Sequence, residues 1–152
     1  HAGFMEMGFM EYALAQASAA AERGEVPVGA VVVDPADRLV AASGNRVEEL
    51  NDPTAHAEML AIRKAARMSG SLRLVGYSLY VTLEPCAMCA QAISLARIKR
   101  VYFGASDEKS GAVENGVRLY NDPSCHHIPE VYGGINAAKA KVLLRDFFRV
   151  RR

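Results

Sequence analysis

Two short motifs carry residue types that can do chemistry, His56-Ala57-Glu58 and Pro85-Cys86-Ala87-Met88-Cys89. Two cysteines three apart in the first turns of a helix point to one side. The helix N-terminus places partial positive charge near both sulfurs and favours thiolate. A thiolate pair with one imidazole is a soft nitrogen and sulfur set, which selects zinc over magnesium or calcium. His56, Cys86 and Cys89 make three protein ligands. A structural zinc site closes with four, whereas a catalytic one leaves the fourth position to water. The loop residues Cys125-His126-His127 offer an alternative fourth ligand, but Glu58 explains the first motif better. If His56 stands at a helix start with non-helical backbone, and Thr54 supplies the cap, Glu58 projects toward the open position without binding the metal. A carboxylate there can accept a proton from water and return it to a substrate.

Each signal is weak alone. A C-x-x-C can be a redox pair, a lone histidine a helix cap or surface group, and a lone glutamate a solvated helix residue. The joint pattern of H-x-E and P-C-x-x-C at two helix starts, thirty residues apart, is far more specific.

The elements that must position these motifs follow from periodicity and punctuation. Residues 5–23 carry Phe9, Ala13, Ala17 and Ala20 at helical spacing, and Gly24 ends the pattern. Val26–Val33 is a buried strand, Pro35-Ala36-Asp37 a turn, and Arg38–Ser43 a second strand antiparallel to the first. Asn45–Asp52 is polar and irregular. His56–Met68 is a helix with Met59, Ile62 and Ala66 inward and Arg63, Lys64 and Arg67 outward. Ser78–Leu83 is a third strand, and Pro85 opens a helix over Cys86–Ala96. Val101–Gly104 is a fourth strand. Residues 105–129 are loops with one helical turn, Val131-Tyr132 is a fifth strand, and Asn136 caps a last helix to about Val150. This order implies a mixed α/β sheet whose active site lies beyond the strand C-termini.

Composition narrows the class. The 152 residues are 51% hydrophobic and 23% charged, which excludes disorder as the main state. A net charge of +1 argues against holding nucleic acid by bulk charge, leaving a local basic patch open. No run approaches the ~18 apolar residues of a membrane span. Three cysteines, an odd count without a secretion signal, point to a reducing cytoplasm. His1-Ala2-Gly3 reads as a cloning remnant, residues 1–4 lying ahead of a natural start at Met5 or Met7. With no linker or repeat, residues 1–152 read as one domain.

At its two motifs the sequence resembles the zinc-dependent nucleoside and nucleic-acid deaminase superfamily, with its H-x-E…P-C-x-x-C signature. The likeness to the bacterial tRNA adenosine deaminases of that superfamily covers nearly the whole chain. It runs through Glu25–Val31, Gly44-Asn45-Arg46, Asp52–Glu58, Thr82–Cys89 and Phe147–Arg152. It implies a three-layer α/β/α cytidine-deaminase-like fold with a mixed five-stranded sheet, assembled as a homodimer whose active sites borrow residues from the other subunit. It implies Zn2+ on His56, Cys86 and Cys89, Glu58 as the catalytic proton carrier, and conversion of adenosine to inosine at the wobble position of a tRNA anticodon stem-loop. The arginine tRNA with an ACG anticodon is the chief substrate implied.

The resemblance also assigns contacts, each beside a plainer alternative. Asn45 would hydrogen-bond the purine, or cap backbone as a loop asparagine. The Ala57 backbone would meet the base or the attacking hydroxyl. Val28 would wall an apolar pocket, or belong to the strand core. Asp107 would accept from a ribose hydroxyl, with Lys109 and Ser110 facing phosphate, or the loop is merely solvated. Glu84 is ambiguous, its neighbourhood lining the site through backbone. In the tail, Arg145, Arg149, Arg151 and Arg152 cluster positive charge around Phe147 and Phe148. One phenylalanine packs the helix, the other (Phe148 in our assignment) stacks on a splayed base, and Arg149 meets RNA. The plainer alternative is basic residues complementing a helix dipole. Competing functions are a free-base or nucleoside deaminase for cytosine, guanine or a pterin-like ring, a zinc-stabilised RNA-binding module without catalysis, and a redox protein.

Overall fold

The computed structural model describes residues 2–151, with side chains from Gly8 onward. His1, of the expected cloning remnant, and Arg152, of the basic tail, lie outside the described residues. The chain runs α1 (Ala2–Glu22), β1 (Gly29–Val33), β2 (Leu39–Gly44), α2 (Val47–Leu50), α3 (Ala57–Ser69), β3 (Ser78–Leu83), α4 (Ala87–Leu95), β4 (Arg100–Ala105), a 3-10 turn (Leu119–Asn121), β5 (Glu130–Tyr132) and α5 (Ala137–Val150). The strands form one sheet in the order β2-β1-β3-β4-β5. β1 is antiparallel to β2 and β3, whereas β3, β4 and β5 run parallel.

Strand alternation sorts two cores, because successive side chains leave opposite faces. Ala30, Val32, Leu79, Val81, Val101 and Phe103 pack with α3 and α4 residues such as Ala57, Ala61, Ala90 and Ile93. Val31, Val33, Tyr80 and Tyr102 pack on the other face against Met10, Ala13 and Leu14 of α1 and Ala140 of α5. The result is the expected three layers, α/β/α. On the α1 side the approach is close enough to demand glycine. A Cβ on Gly29 would lie 1.9 Å from the Ala13 carbonyl oxygen and 2.6 Å from the Ala17 nitrogen.

The parallel strands β3 and β4 end at the same edge of the sheet at which antiparallel β1 begins and β2 ends. Residues just outside those ends, Val28, Asn45, Glu84 and Asp107, therefore converge although they are distant in sequence.

Several expectations need correction. The first strand begins at Gly29 and not Val26, since Pro27 has no N–H and the Val28 N–H turns back to the Val26 carbonyl. The polar stretch 45–52 contains α2, whose leading amides are satisfied from afar, as described below. The buried stripe of α3 is Ala57, Ala61 and Ala65, flanked by Glu58, whereas Met59, Ile62 and Ala66 are half-buried. Small residues let that helix sit low on the sheet. Cys86 caps α4 in extended backbone instead of opening it, and Leu95 is its last residue. Asn136 makes no side-chain cap; it adopts left-handed backbone (φ 56°), and its amide donates to Glu11.

Candidate metal centre and its cleft

His56 precedes α3 with extended backbone (φ −72°, ψ 151°), and Cys86 does the same for α4 (φ −75°, ψ 176°). These two non-helical residues turn their side chains back toward one another across the sheet edge. Cys89, one turn into α4, joins them. The His56 Nδ1 lies 3.6 Å from the Cys86 Sγ and 3.6 Å from the Cys89 Sγ. All three donor atoms fall within 4.8 Å of one another. Tetrahedral zinc with bonds of about 2.3 Å to sulfur and about 2.0 Å to nitrogen would hold such donors about 3.5 Å apart. The donor types and their spacing therefore fit that ion.

The hydrogen bond from the Cys89 thiol, with His56 beside it, holds the Cys86 thiol down at about 4. The same bond and burial push Cys89 far above an ordinary thiol. The bond to Cys86 raises His56. A dication held by these residues would reverse the penalty on Cys89, because metal ligation requires thiolate.

Glu58 begins the second layer of the site. It sits in the first turn of α3, almost wholly buried, and is not one of the three clustered donors. Burial raises its carboxyl to about 7, against the opposing pull of its own backbone N–H. A carboxyl poised there can both take and give a proton near neutrality. Cys125 and its neighbours stand elsewhere. The Cys125 Sγ contacts the Ser94 hydroxyl and the His127 carbonyl, and the His127 Nε2 bonds the Ile98 carbonyl. Neither Cys125 nor His127 belongs to a metal-binding group among the described residues.

Over this centre opens a cleft of about 510 Å³, lined by His56, Glu58, Cys86, Val28, Asn45, Asp107 and others. The zinc-binding region of the cytidine and deoxycytidylate deaminases matches residues 5–105. The chain belongs to the cytidine and deoxycytidylate deaminase family. A tRNA-specific adenosine deaminase of Agrobacterium fabrum is 57% identical over 144 residues, 95% of this chain and 94% of that protein. One from Aquifex aeolicus is 44% identical over 142 residues, 93% of this chain and 92% of that protein. A structure from studies of A-to-I editing by tRNA:A34 deaminases superposes with a TM-score of 0.88 at 56% identity, covering 90% of this chain and 99% of that one. The Bacillus subtilis guanine deaminase structure gives 0.65 at 36% identity, covering 80% and 81%. Zinc is thus the family's metal, and His56, Cys86 and Cys89 are the residues here that would hold it.

The remaining residues of this deaminase divide by place. The Asn45 side-chain oxygen accepts the Ala57 N–H at 2.7 Å, so Asn45 and not Thr54 satisfies the start of α3. Thr54 instead donates to Asp52 through both its N–H and its hydroxyl. Asn45 lines the cleft, and its Nδ2 donates to no protein group among the described residues. The Ala57 N–H is consumed by that bond. Val28 is both buried core and cleft wall. Asp107 borders the cleft, but its Oδ1 accepts the Lys109 and Ser110 N–H groups. Phe147 and Arg151 reach the cleft, the guanidinium standing 3.7 Å over the ring. Phe148 and Arg149 do not; they line a separate shallow groove with Leu144 and Arg145. Arg149 pairs with Asp146.

Of two further cleft residues, Glu25 was not singled out from sequence and Glu84 was left ambiguous. Glu25, 2% exposed, accepts the N–H groups of Glu48 and Glu49 and so caps α2. Glu84, also 2% exposed, accepts donors from the loop after β4. The available signal was a carboxylate at the end of an apolar strand run, in Thr82-Leu83-Glu84-Pro85. A charge is placed there only if partners arrive.

Proposed function

We propose that this deaminase converts adenosine to inosine at the wobble position of tRNA, by hydrolysis, with the arginine tRNA bearing an ACG anticodon as its chief substrate. The observation that carries the reading is the buried Glu58 beside a His-Cys-Cys group at the floor of a cleft, in a chain so similar to tRNA-specific adenosine deaminases. Bound zinc would lower the pKa of a water molecule at its open position to about 7. Glu58 accepts the proton of the attacking water and passes it to the ring nitrogen beside C6. Glu58 then takes the hydroxyl proton of the C6 adduct and delivers it to the amino group, so that the C–N bond breaks, ammonia leaves and the C6 carbonyl of inosine forms. Asn45 offers its Nδ2 to the purine edge while its oxygen holds the start of α3. Val28 presents an apolar wall to the ring, and Asp107 stands at the rim on the ribose side. The base must leave its stack to reach the floor, so single-stranded loops are preferred over duplex.

Residues 1–152 act as one deaminase domain in the cytoplasm, on the surface of an anticodon stem-loop and as a homodimer. No described helix is long and apolar enough to cross a membrane. Support for the dimer comes from exposed Leu95 and Ile128 on the α4 side, where the Ser94 hydroxyl ties the loop of His127 to the helix. Activity that falls on dilution below the dimer dissociation constant is expected; a sedimenting monomer of full activity excludes it.

The test incubates the zinc-loaded protein with total tRNA and locates positions at which adenosine reads as guanosine on reverse transcription. Conversion confined to position 34 of the ACG-anticodon tRNA is expected. Ammonia release from free adenosine or guanine, with all tRNAs unchanged, overturns the reading in favour of a nucleoside or free-base deaminase.

A further inference from the structure

Glu84 has no part in the proton transfers assigned to Glu58, yet six donors converge on it. Its Oε1 accepts the Ser106 hydroxyl (3.3 Å), the Asp107 N–H (3.0 Å) and the Asn115 Nδ2 (2.7 Å). Its Oε2 accepts the N–H groups of Val113 (3.1 Å), Glu114 (2.9 Å) and Asn115 (3.1 Å). An ionised carboxylate has about four lone-pair sites. Both oxygens are therefore saturated, and Glu84 has no acceptor left for a substrate although it borders the cleft.

What it holds is the loop of residues 106–115, which carries Asp107 and Ser110 on the cleft rim. That loop has no regular structure of its own. It is wrapped so tightly that a Cβ on Gly111 would lie 2.5 Å from the Glu84 carboxylate. The other end of the link is the metal centre. Glu84 follows the last residue of β3, two residues before Cys86; its N–H bonds the Ala105 carbonyl, and the Pro85 carbonyl accepts the Ala112 N–H. The loop's height over the floor is thereby referred to the same strand end that carries a zinc ligand.

We propose that Glu84 is a positioning residue for the polynucleotide substrate, its carboxylate fixing the Asp107–Ser110 rim at the level of the metal centre. This rests on the tRNA reading above. Glu84 acts through the rim and not on the reacting atoms, so its loss affects binding of the nucleotides around the target base more than turnover of a bound one.

The test uses the zinc-loaded enzyme, an anticodon stem-loop and Glu84→Gln. The variant keeps the shape but turns an amide NH2 toward three donors. Expected are faster amide exchange at Asp107, Val113, Glu114 and Asn115, a KM raised about tenfold or more, and kcat within about threefold of the parent. Zinc content stays at the parent's value. Asn115→Ala, which removes one donor to Oε1, is the milder second variant. It moves KM in the same direction, and the two changes combined give less than the product of their separate effects.

Unchanged KM in a Glu84→Gln protein whose loop amides have lost protection overturns the proposal. So does a fall in kcat alone, or intact protection of those amides. Should Glu84→Gln fail to fold, an unchanged KM in Asn115→Ala decides against it. A parent protein that makes no inosine in any tRNA sinks the functional reading instead, and the exchange data still report on the loop.

Discussion

Glu58 and Asn45 each combine a place in the fold with a proposed part in the chemistry. Glu58 stands where burial lifts its carboxyl, which costs folding free energy but suits the proton-carrying role proposed for it. Its role is separable from metal holding, because His56, Cys86 and Cys89 form the ligand group without it. Glu58→Gln is therefore expected to retain the parent's zinc by elemental analysis while inosine formation falls about 10²- to 10⁴-fold. Turnover at the parent rate in a fully metallated variant removes Glu58 from the mechanism. The metal motifs were legible because H-x-E and P-C-x-x-C are contiguous, so spacing reports geometry. Asn45 was legible as a candidate but its division of labour was not: the partner of its oxygen is the Ala57 N–H, 12 residues on, and only the folded chain places them together. Glu84 is harder still, since its donors lie 22 to 31 residues away.

At the scale of elements, the strands and long helices were readable from local pattern. β3 was placed residue for residue, and α5 was placed to about Val150 from a side-chain cap at Asn136 that the structure does not show. α2 was not, and the reason is physical. A four-residue helix leaves its leading N–H groups without internal partners. Here a buried carboxylate from before β1 accepts two of them, Glu48 and Glu49, at 3.0 and 2.8 Å. No window of sequence around 47–50 contains that cap. The Arg23 side chain adds to the same corner by donating to the Asn45 carbonyl at 3.0 Å. Glu25→Ala would orphan the two amides, at a cost of about 1–3 kcal/mol. For a chain of this size that lowers the melting temperature by about 2–4 °C per kcal/mol. Calorimetry should find this drop, with faster amide exchange at Glu48 and Glu49. The control Glu48→Ala keeps the backbone N–H and should melt close to the parent. A Glu25→Ala protein as stable as that control means that water replaces the cap at no cost.

For the molecule as a whole, the net charge of +1 leaves little general attraction for RNA, so any electrostatic grip must be local. The tail concentrates arginines, but they are not equivalent. Arg149 is already paired with Asp146, and both border the solvent away from the metal centre. Arg151 instead packs over Phe147, donates to the Phe147 carbonyl and reaches the cleft. Salt dependence of binding counts the phosphates a protein neutralises, each contributing a slope near one. Arg151→Ala is therefore expected to weaken stem-loop binding and lower the slope of log affinity against log salt by about one. Arg149→Ala should change the slope less, since its charge is offset by Asp146. Fluorescence anisotropy at several salt concentrations measures both. If Arg151→Ala binds with the parent's slope while Arg149→Ala loses a full unit, the RNA backbone runs along the outer groove of Phe148 and Arg149 and not past Arg151.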